Sequence, residues 1–490
     1  MPLILGTNSV VDDELVPNSL RNQLSTNDFL SRTPTSSRTQ DQKYTFSVWF
    51  KRSSLGLGRL IQNFKDTNNR AFVDITAENN LFYFDKAGGT VIAERTSNFK
   101  LRDTGGWYHY VQAVNNLAGD ANSAENVRFK TFLNGVDVSD DWSISTSMGY
   151  NVNLGMSQGN EANQFKLGCN ESGTGNFDGY FCEYAFFDGQ QLVASNFGEF
   201  DSDSGIWKPK EYDSDSVNAS FGNNGFKLQF KKNGTSANSD GLGADTSGQD
   251  NHFTLNNLTA ISQSTDTCTN SFCTLNHNAK RPIANGTITE AGLKYTASTG
   301  DSSVYGTHAI PPGMKVYFEV KLVNNTAQNS IGIHNLYDGG DGEYVGGGSE
   351  TGTWSFKPRG AASVTQYFNN GSANNHSVNN ASNNTILGVA VDNANGRIHY
   401  SLDGTFINSS DPTDNDPAAL VTGHDETKEQ YLHFSLDTQG AGSEPSNQFN
   451  FGSPPYSESG GNSDARGNGN FNQQVPSGYF ALCTNNISKV

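Results

Sequence analysis

The sequence predicts an all-β protein of two antiparallel β-sandwiches joined by an irregular connector, and three observations predict it. Apolar residues alternate with period two in short runs, turn residues separate those runs at close spacing, and long apolar helical stripes are missing from the 490 residues. Charged residues make up only 17%, aromatics reach 11%, and Gly (52) and Asn are abundant. That usage suits strands and turns. A chain of this length can bury large cores, so it is no small stapled scaffold.

Residues 1–24 read as an extended N-terminal attachment arm, since Pro17 and the polar NSLRNQ offer little to bury. The first domain spans 25–200. YTFSVWF (44–50) places Tyr44, Phe46, Val48 and Phe50 on one side and Trp49 on the other, and RAFVDIT (70–76) and LFYFD (81–85) follow at short spacing. In WYHYVQAV (107–114), Trp107, His109, Val111 and Ala113 share a face, as do Val127, Phe129, Thr131 and Leu133 in the next run. His109, beside aromatics, reads as a packed core residue. Only Asn134 and Gly135 separate Leu133 from Val136, and this pair tolerates the positive φ that both centres of a type I′ turn require. A tight hairpin follows. FKLGC (165–169) and FDGYFCEYAFFDG (177–189) close the domain, the latter with Tyr180, Cys182, Tyr184 and Phe186 on one face.

Residues 201–284, dominated by Asp, Ser, Asn and Gly but holding GFKLQFK (225–231), read as a connector with some strand content. The second domain spans 285–456. KVYFEVKL (315–322) turns Val316, Phe318, Val320 and Leu322 inward and exposes Tyr317, Glu319 and Lys321. IHYSLDGTF (398–406) repeats the hairpin device, with Ile398, Tyr400 and Leu402 on one face ahead of an Asp403-Gly404 turn. Residues 457–490 remain as a tail with one short strand.

The net charge of −18 disfavours nucleic acid and anionic membrane as partners, because both reward clustered Lys and Arg. No window approaches the ~18 apolar residues of a membrane span, and MPLILGTNSV lacks the basic and apolar regions of a signal peptide. No membrane insertion is expected. The five cysteines, Cys169, Cys182, Cys268, Cys273 and Cys483, form no C-x-x-C and have no nearby His ligand, so free thiols are expected. In an oxidising medium, Cys169 with Cys182, or Cys268 with Cys273, are the pairs that would close.

Catalytic signatures are missing. The nine histidines make no H-x-H or H-x-x-x-H pair, and H-E-x-x-H, G-x-S-x-G and the phosphate-loop pattern do not occur. Asp178 and Glu183 are five residues apart and would face opposite sides of a regular strand. No catalytic residue, metal site or cofactor is therefore predicted, and the chain is not expected to be an enzyme. Binding is the remaining chemistry. In YDGGDGEYVGGGSETGTWSF (337–356), Tyr337, Tyr344 and Trp354 lie among Asp338, Asp341 and Glu343 on a glycine-rich backbone. These three aromatics are the candidate ligand-binding residues: their rings suit the apolar face of a sugar, the acids suit a hard cation, and ordinary loop packing is the plain alternative.

The motifs in their order resemble known families. Residues 28–190, with YTFSVWFKR, WYHYVQAV, FKTFLNGVDV and FDGYFCEYAFFDG, resemble concanavalin A-like lectin/glucanase domains of the laminin-G type. Residues 285–455, with KVYFEVKL, IGIHN, ILGVAVDNANGRIHYSLDGTF and NFG, resemble a SPRY domain. GIWKPKEY, GADTSGQDNHFTLNNL, FCTLN and FALCTNN resemble the pieces that join the same two modules in structural proteins of marine tailed bacteriophages. The resemblance implies a lectin-like jelly roll, then a SPRY-like sandwich, in a virion tail fibre or other appendage assembled in the host cytoplasm. It also implies other virion proteins as partners of the 1–24 arm, a host-surface carbohydrate or receptor as ligand, and a homo-oligomer, trimeric as fibres are. Two further roles stay open, an architectural protein that decorates the capsid or bridges tail proteins, and a polysaccharide depolymerase. The last would need two carboxylates across a sugar bond, and the glucanase strand E-x-D-x-x-E is not found.

Overall fold

The computed structural model describes residues 15–119, 121–157, 163–281, 285–298, 300–325, 328–335, 351–359, 365–377, 380–414, 416–437, 444–457 and 460–490. They divide into two compact units with the boundary between Asn270 and Ser271. Nearly all regular structure is antiparallel strand, and no helix among the described residues is long and apolar enough to cross a membrane.

In the first unit one sheet runs, in spatial order, Val136–Asp137, Phe129–Leu133, Trp107–Asn115, Lys43–Arg52, Gly179–Asp188, Ser19–Asn22 and Gln263–Ser264. Its partner runs Trp142–Thr146, Thr90–Ser97, Leu81–Ala87, Asn69–Ile75, Gly58–Asp66, Gln164–Leu167, Phe29–Arg32 and Thr254–Asn256. Tyr44, Phe46, Val48 and Phe50 of one sheet share a core with Ile61, Val73 and Tyr83 of the other, as period-two alternation requires. The sheets touch directly where the Tyr83 and Phe129 rings lie 5.3 Å apart and the Tyr44 and Tyr83 hydroxyls 3.0 Å apart. The Asn134-Gly135 hairpin forms with φ of 48° and 80°. A Cβ on Gly135 would lie 2.2 Å from the Trp207 ring, so close approach as well as dihedral freedom selects glycine there.

Several expectations change. Ser19–Asn22, assigned to the arm, pairs with Gly179–Phe181 and is buried sheet. The 201–284 connector is not separate: its strands Trp207–Pro209, Phe226–Leu228, Thr254–Asn256 and Gln263–Ser264 belong to the first unit, and Leu275–Arg281 to the second. Residues 125–128 make a helical turn, leaving Val127 40% exposed. Trp107, His109, Val111 and Ala113 are buried, but on the sheet's outer face, while Tyr110 and Val114 enter the core. His109 stacks on Trp49 at 4.6 Å and on Trp207 at 6.0 Å, so the supposed connector covers this face. Along Gly179–Asp188 a bulge at Glu183 (φ 45°) shifts the register between Cys182 and Ala185. One extra residue reverses the alternation, so Phe181, Tyr184 and Phe186 reach the core and Tyr180 and Cys182 do not.

The second unit has one sheet ordered Leu275–Arg281, Asp301–Ile310, Gln430–Asp437, Gln328–His334, Thr353–Arg359, Thr365–Asn369 and Ser372–His376. The other is ordered Gly286–Thr289, Lys294–Ala297, Ser446–Asn450, Lys315–Asn324, Ile386–Asp392, Arg397–Leu402 and Thr405–Phe406. Val316, Phe318, Val320 and Leu322 point into the shared core, and the Tyr400 hydroxyl donates across it to the Ile331 carbonyl at 2.9 Å. Asp403 and Gly404 form the second positive-φ turn, at 45° and 87°. Tyr317 and Glu319, expected at the surface, are buried. The supposed tail covers them: the Tyr317 N–H donates to the Phe480 carbonyl at 2.9 Å, and the Phe480 N–H to the Lys315 carbonyl at 3.0 Å.

Candidate ligand-binding site

Of the three aromatics singled out, Tyr337 and Tyr344 lie outside the described residues. Trp354 sits in the strand Thr353–Arg359 and is 3% exposed, inside the second unit's core and edge-on to His424 at 6.0 Å. Its ring is therefore packing, which corrects its assignment as a ligand contact. Alternation explains the placement, because Trp354 and Phe356 share the inward face of one strand.

The structure instead forms a recess of about 470 Å³ on the outer face of the second unit. Three stretches build it. The Asp403-Gly404 hairpin contributes Ser401, Gly404 and the half-buried Phe406, the turn that follows contributes Ser410, Asp411, Pro412 and Thr413, and the C-terminal segment contributes Gln473, Gln474 and Pro476. Tyr317 also lines it. Together they present rings and prolines beside a carboxylate, two amides and three hydroxyls of Ser and Thr. That mixture of an apolar surface with a few polar groups is what a sugar or another small polyhydroxylated ligand requires.

Buried chemistry holds these walls in place. Glu319 accepts hydrogen bonds from the Asn472 N–H (3.0 Å), the Gln473 N–H (2.7 Å), the Asn450 side-chain amide (3.0 Å) and the Tyr317 hydroxyl (3.3 Å). Burial raises its carboxyl above the ordinary value, and those donors partly offset the rise. A Cβ on Gly404 would lie 2.5 Å from Gln473 Oε1, so the hairpin and the C-terminal segment meet at van der Waals contact. On the opposite wall His399 Nδ1 and Ser410 Oγ lie 3.2 Å apart, and burial lowers the pKa of this imidazole.

Asp411 is the charged group at the rim. Its Oδ1 accepts from the Thr413 hydroxyl at 2.6 Å and the Thr413 N–H at 2.8 Å, which hold the carboxyl below its ordinary range. Oδ2 has no partner among the described residues. Sequence reasoning missed this site because Gln473, Gln474 and Pro476 lie in aperiodic chain. The one usable signal was the Asp403-Gly404 turn.

The first unit carries a smaller recess of about 380 Å³ beside the Asn134-Gly135 hairpin. There Phe200 is 53% exposed with its ring 4.9 Å from that of Trp207. Glu183, the acid five residues after Asp178, is occupied elsewhere, by Lys227 Nζ at 3.3 Å and the Gln229 amide at 2.9 Å. Among the described residues no three His, Cys, Asp or Glu side chains gather as metal ligands.

No protein-family profile matches the chain, and no curated protein does. Solved structures give partial likenesses. A native heptameric SAP-like pentraxin from Limulus polyphemus is 13% identical, over 38% of this chain and 80% of that one, with a TM-score of 0.26. The SPRY domain of human HERC1 is 9% identical, over 36% of this chain and 96% of that one, also at 0.26. Domain 4 of AbnA, an extracellular arabinanase from Geobacillus stearothermophilus in complex with arabinotriose, is 20% identical, over 32% and 64%, at 0.22. The fold assignment accordingly rests on the sheet orders and cores above.

Proposed function

We propose that this chain is a recognition protein that binds host-surface glycan through the recess between the Asp403-Gly404 hairpin and the C-terminal segment. The carrying observation is that recess, in which Phe406, two prolines, Asp411 and two Gln amides converge and the buried Glu319 fixes one wall. Asp411 is the one carboxylate among the described lining residues. Glycosidases place two carboxyl groups about 5–9.5 Å apart around the bond they break, so binding without hydrolysis is the reading this lining supports.

The finer proposal is that the protein belongs to a tailed-phage virion, as a tail-fibre-like appendage in several copies. The support is the resemblance in motif order and linkers. Several copies would convert a weak sugar affinity into firm attachment, since the second contact is made at high effective concentration. Full-length protein on a glycan array should retain a defined subset of sugars. Phe406→Ala or Asp411→Ala should weaken that binding roughly tenfold, the loss of about one stacking or charge-assisted contact. Phe200→Ala, in the other recess, should leave it unchanged. Saturating protein should also reduce adsorption of virus to host cells. No retained glycan together with undiminished adsorption would overturn the recognition reading, and a quasi-symmetric capsid position by cryo-microscopy would replace it with decoration.

A further inference from the structure

The bulge at Glu183 has a chemical consequence on the first unit's outer face. By turning Cys182 away from the core, it brings that sulfur 3.3 Å from the sulfur of Cys268, a residue 86 positions later. The approach is held from several sides. Ser264 pairs with Ser19, the Ser19 hydroxyl donates to the Asp266 carbonyl at 2.6 Å, and the Thr269 hydroxyl donates to the Val16 carbonyl at 3.3 Å. Lys51 Nζ lies 2.9 Å from Asp266 Oδ2 in an ion pair with both side chains buried. The two thiols are thus neighbours because the sheet and the segment 263–270 are locked together around them. Both are free, and neither Cys169–Cys182 nor Cys268–Cys273 is the pair the fold selects on this face.

We propose that Cys182 and Cys268 are an intramolecular disulfide site, closed when the folded chain meets a disulfide oxidant and stapling residues 264–270 to the sheet. The step is thiol–disulfide exchange. One cysteine thiolate attacks a sulfur of oxidised glutathione and releases one glutathione thiolate, leaving a mixed disulfide. The second cysteine thiolate then attacks the protein sulfur of that bond and releases the other glutathione. A protein S–S bond forms, the glutathione S–S bond breaks, and the two cysteine protons end on two glutathione thiols. Bond formation must bring the sulfurs from 3.3 Å to the ~2.05 Å of a disulfide. Burial raises the Cys268 thiol well above its ordinary pKa, so attack waits for local opening and proceeds slowly from the native state. The cross-link is independent of what the second unit's recess binds.

The test uses the full chain, folded, with oxidised glutathione, then alkylation of remaining thiols, proteolysis and mass spectrometry without reductant. The expected product is a peptide pair joined through Cys182 and Cys268, two hydrogens lighter than the reduced pair. Amide exchange over 265–270 should slow roughly tenfold or more on oxidation, as expected when local opening is suppressed. Cys268→Ser should abolish both effects, and wild-type peptide mapping decides the matter if that variant fails to fold. Five thiols still alkylated after prolonged incubation, glutathione adducts without a cross-link, or cross-links joining Cys169 to Cys182 or Cys268 to Cys273 would each overturn the proposal.

Discussion

A proton on His109 would have no water to solvate it. The Trp207 indole N–H donates to Nδ1 at 2.9 Å, which leaves the hydrogen on Nε2 to face Ser47 Oγ at 3.0 Å. Burial pushes this imidazole down to about 3. An unfolded chain takes up the proton near pH 6.5, so His109 contributes stability fully above that pH and loses it as pH falls from 6.5 toward 3. The expected slope is at most about 1.4 kcal/mol per pH unit. Asp85 acts in the opposite sense: burial raises it to about 6, so its contribution is present below its ordinary value of 3.8 and is lost as pH rises through 6. Replacing His109 by Gln should therefore leave Asp85's share intact and uncancelled, so the urea-measured stability difference between wild type and variant should shrink as pH falls from 6.5 to 5. An unchanged profile would show that His109 does not titrate on unfolding. Gly135→Ala should destabilise the first unit by about 1–3 kcal/mol in the same assay, since the methyl group meets both a positive φ and the Trp207 ring. The turn residues at 134–135 and 403–404 are readable from sequence because their chemistry is local. Glu183 is not, since a glutamate in left-handed conformation carries no local signature and its bulge is set by neighbouring strands.

Regular strands such as Lys43–Arg52 and Lys315–Asn324 were readable by face; the bulged strand Gly179–Asp188 and the segments that cover the sheets were not. Alternation correctly separated Val316, Phe318, Val320 and Leu322 from Tyr317 and Glu319. It gave no warning that the second set would also be buried, because residues 471–483 are aperiodic and act by backbone hydrogen bonds and a few rings. The same holds for Trp207 and Phe197 over His109. An acidic residue between Tyr and Lys reads as a solvated face, yet Glu319 ties the Asn472 and Gln473 N–H groups of the C-terminal segment to the sheet and also accepts from the Asn450 amide of the neighbouring strand. Glu319→Ala should thus destabilise the second unit by about 2–4 kcal/mol by stranding those donors, and should weaken glycan binding beyond what lower stability explains. Denaturation and binding measured on the same variant separate the two effects. Loss of neither would remove Glu319 from the account of the recess.

Considered as a molecule, the chain holds two complete cores, and its division falls at 270/271 rather than at either end of the expected 201–284 connector. The piece 8–270 should therefore fold alone with a cooperative thermal transition. The piece 25–200 should not, because it lacks Ser19–Asn22, Phe226–Leu228, Thr254–Asn256 and Gln263–Ser264 from the two sheets. Circular dichroism melts of both would check this, and a cooperative melt of the shorter piece would show those strands to be dispensable. The all-β class and both hairpins followed from alternation and turn chemistry, whereas the boundary depended on strand pairings between residues more than 200 positions apart, such as Ser19 with Ser264. One detail of sheet order bears on crowding. The first unit's sheet ends at one rim in Val136–Asp137 and at the other in Gln263–Ser264, two residues each. Rim strands so short present few unpaired N–H and C=O groups of their own to a foreign strand, so they disfavour fibril growth by addition at either end of this sheet.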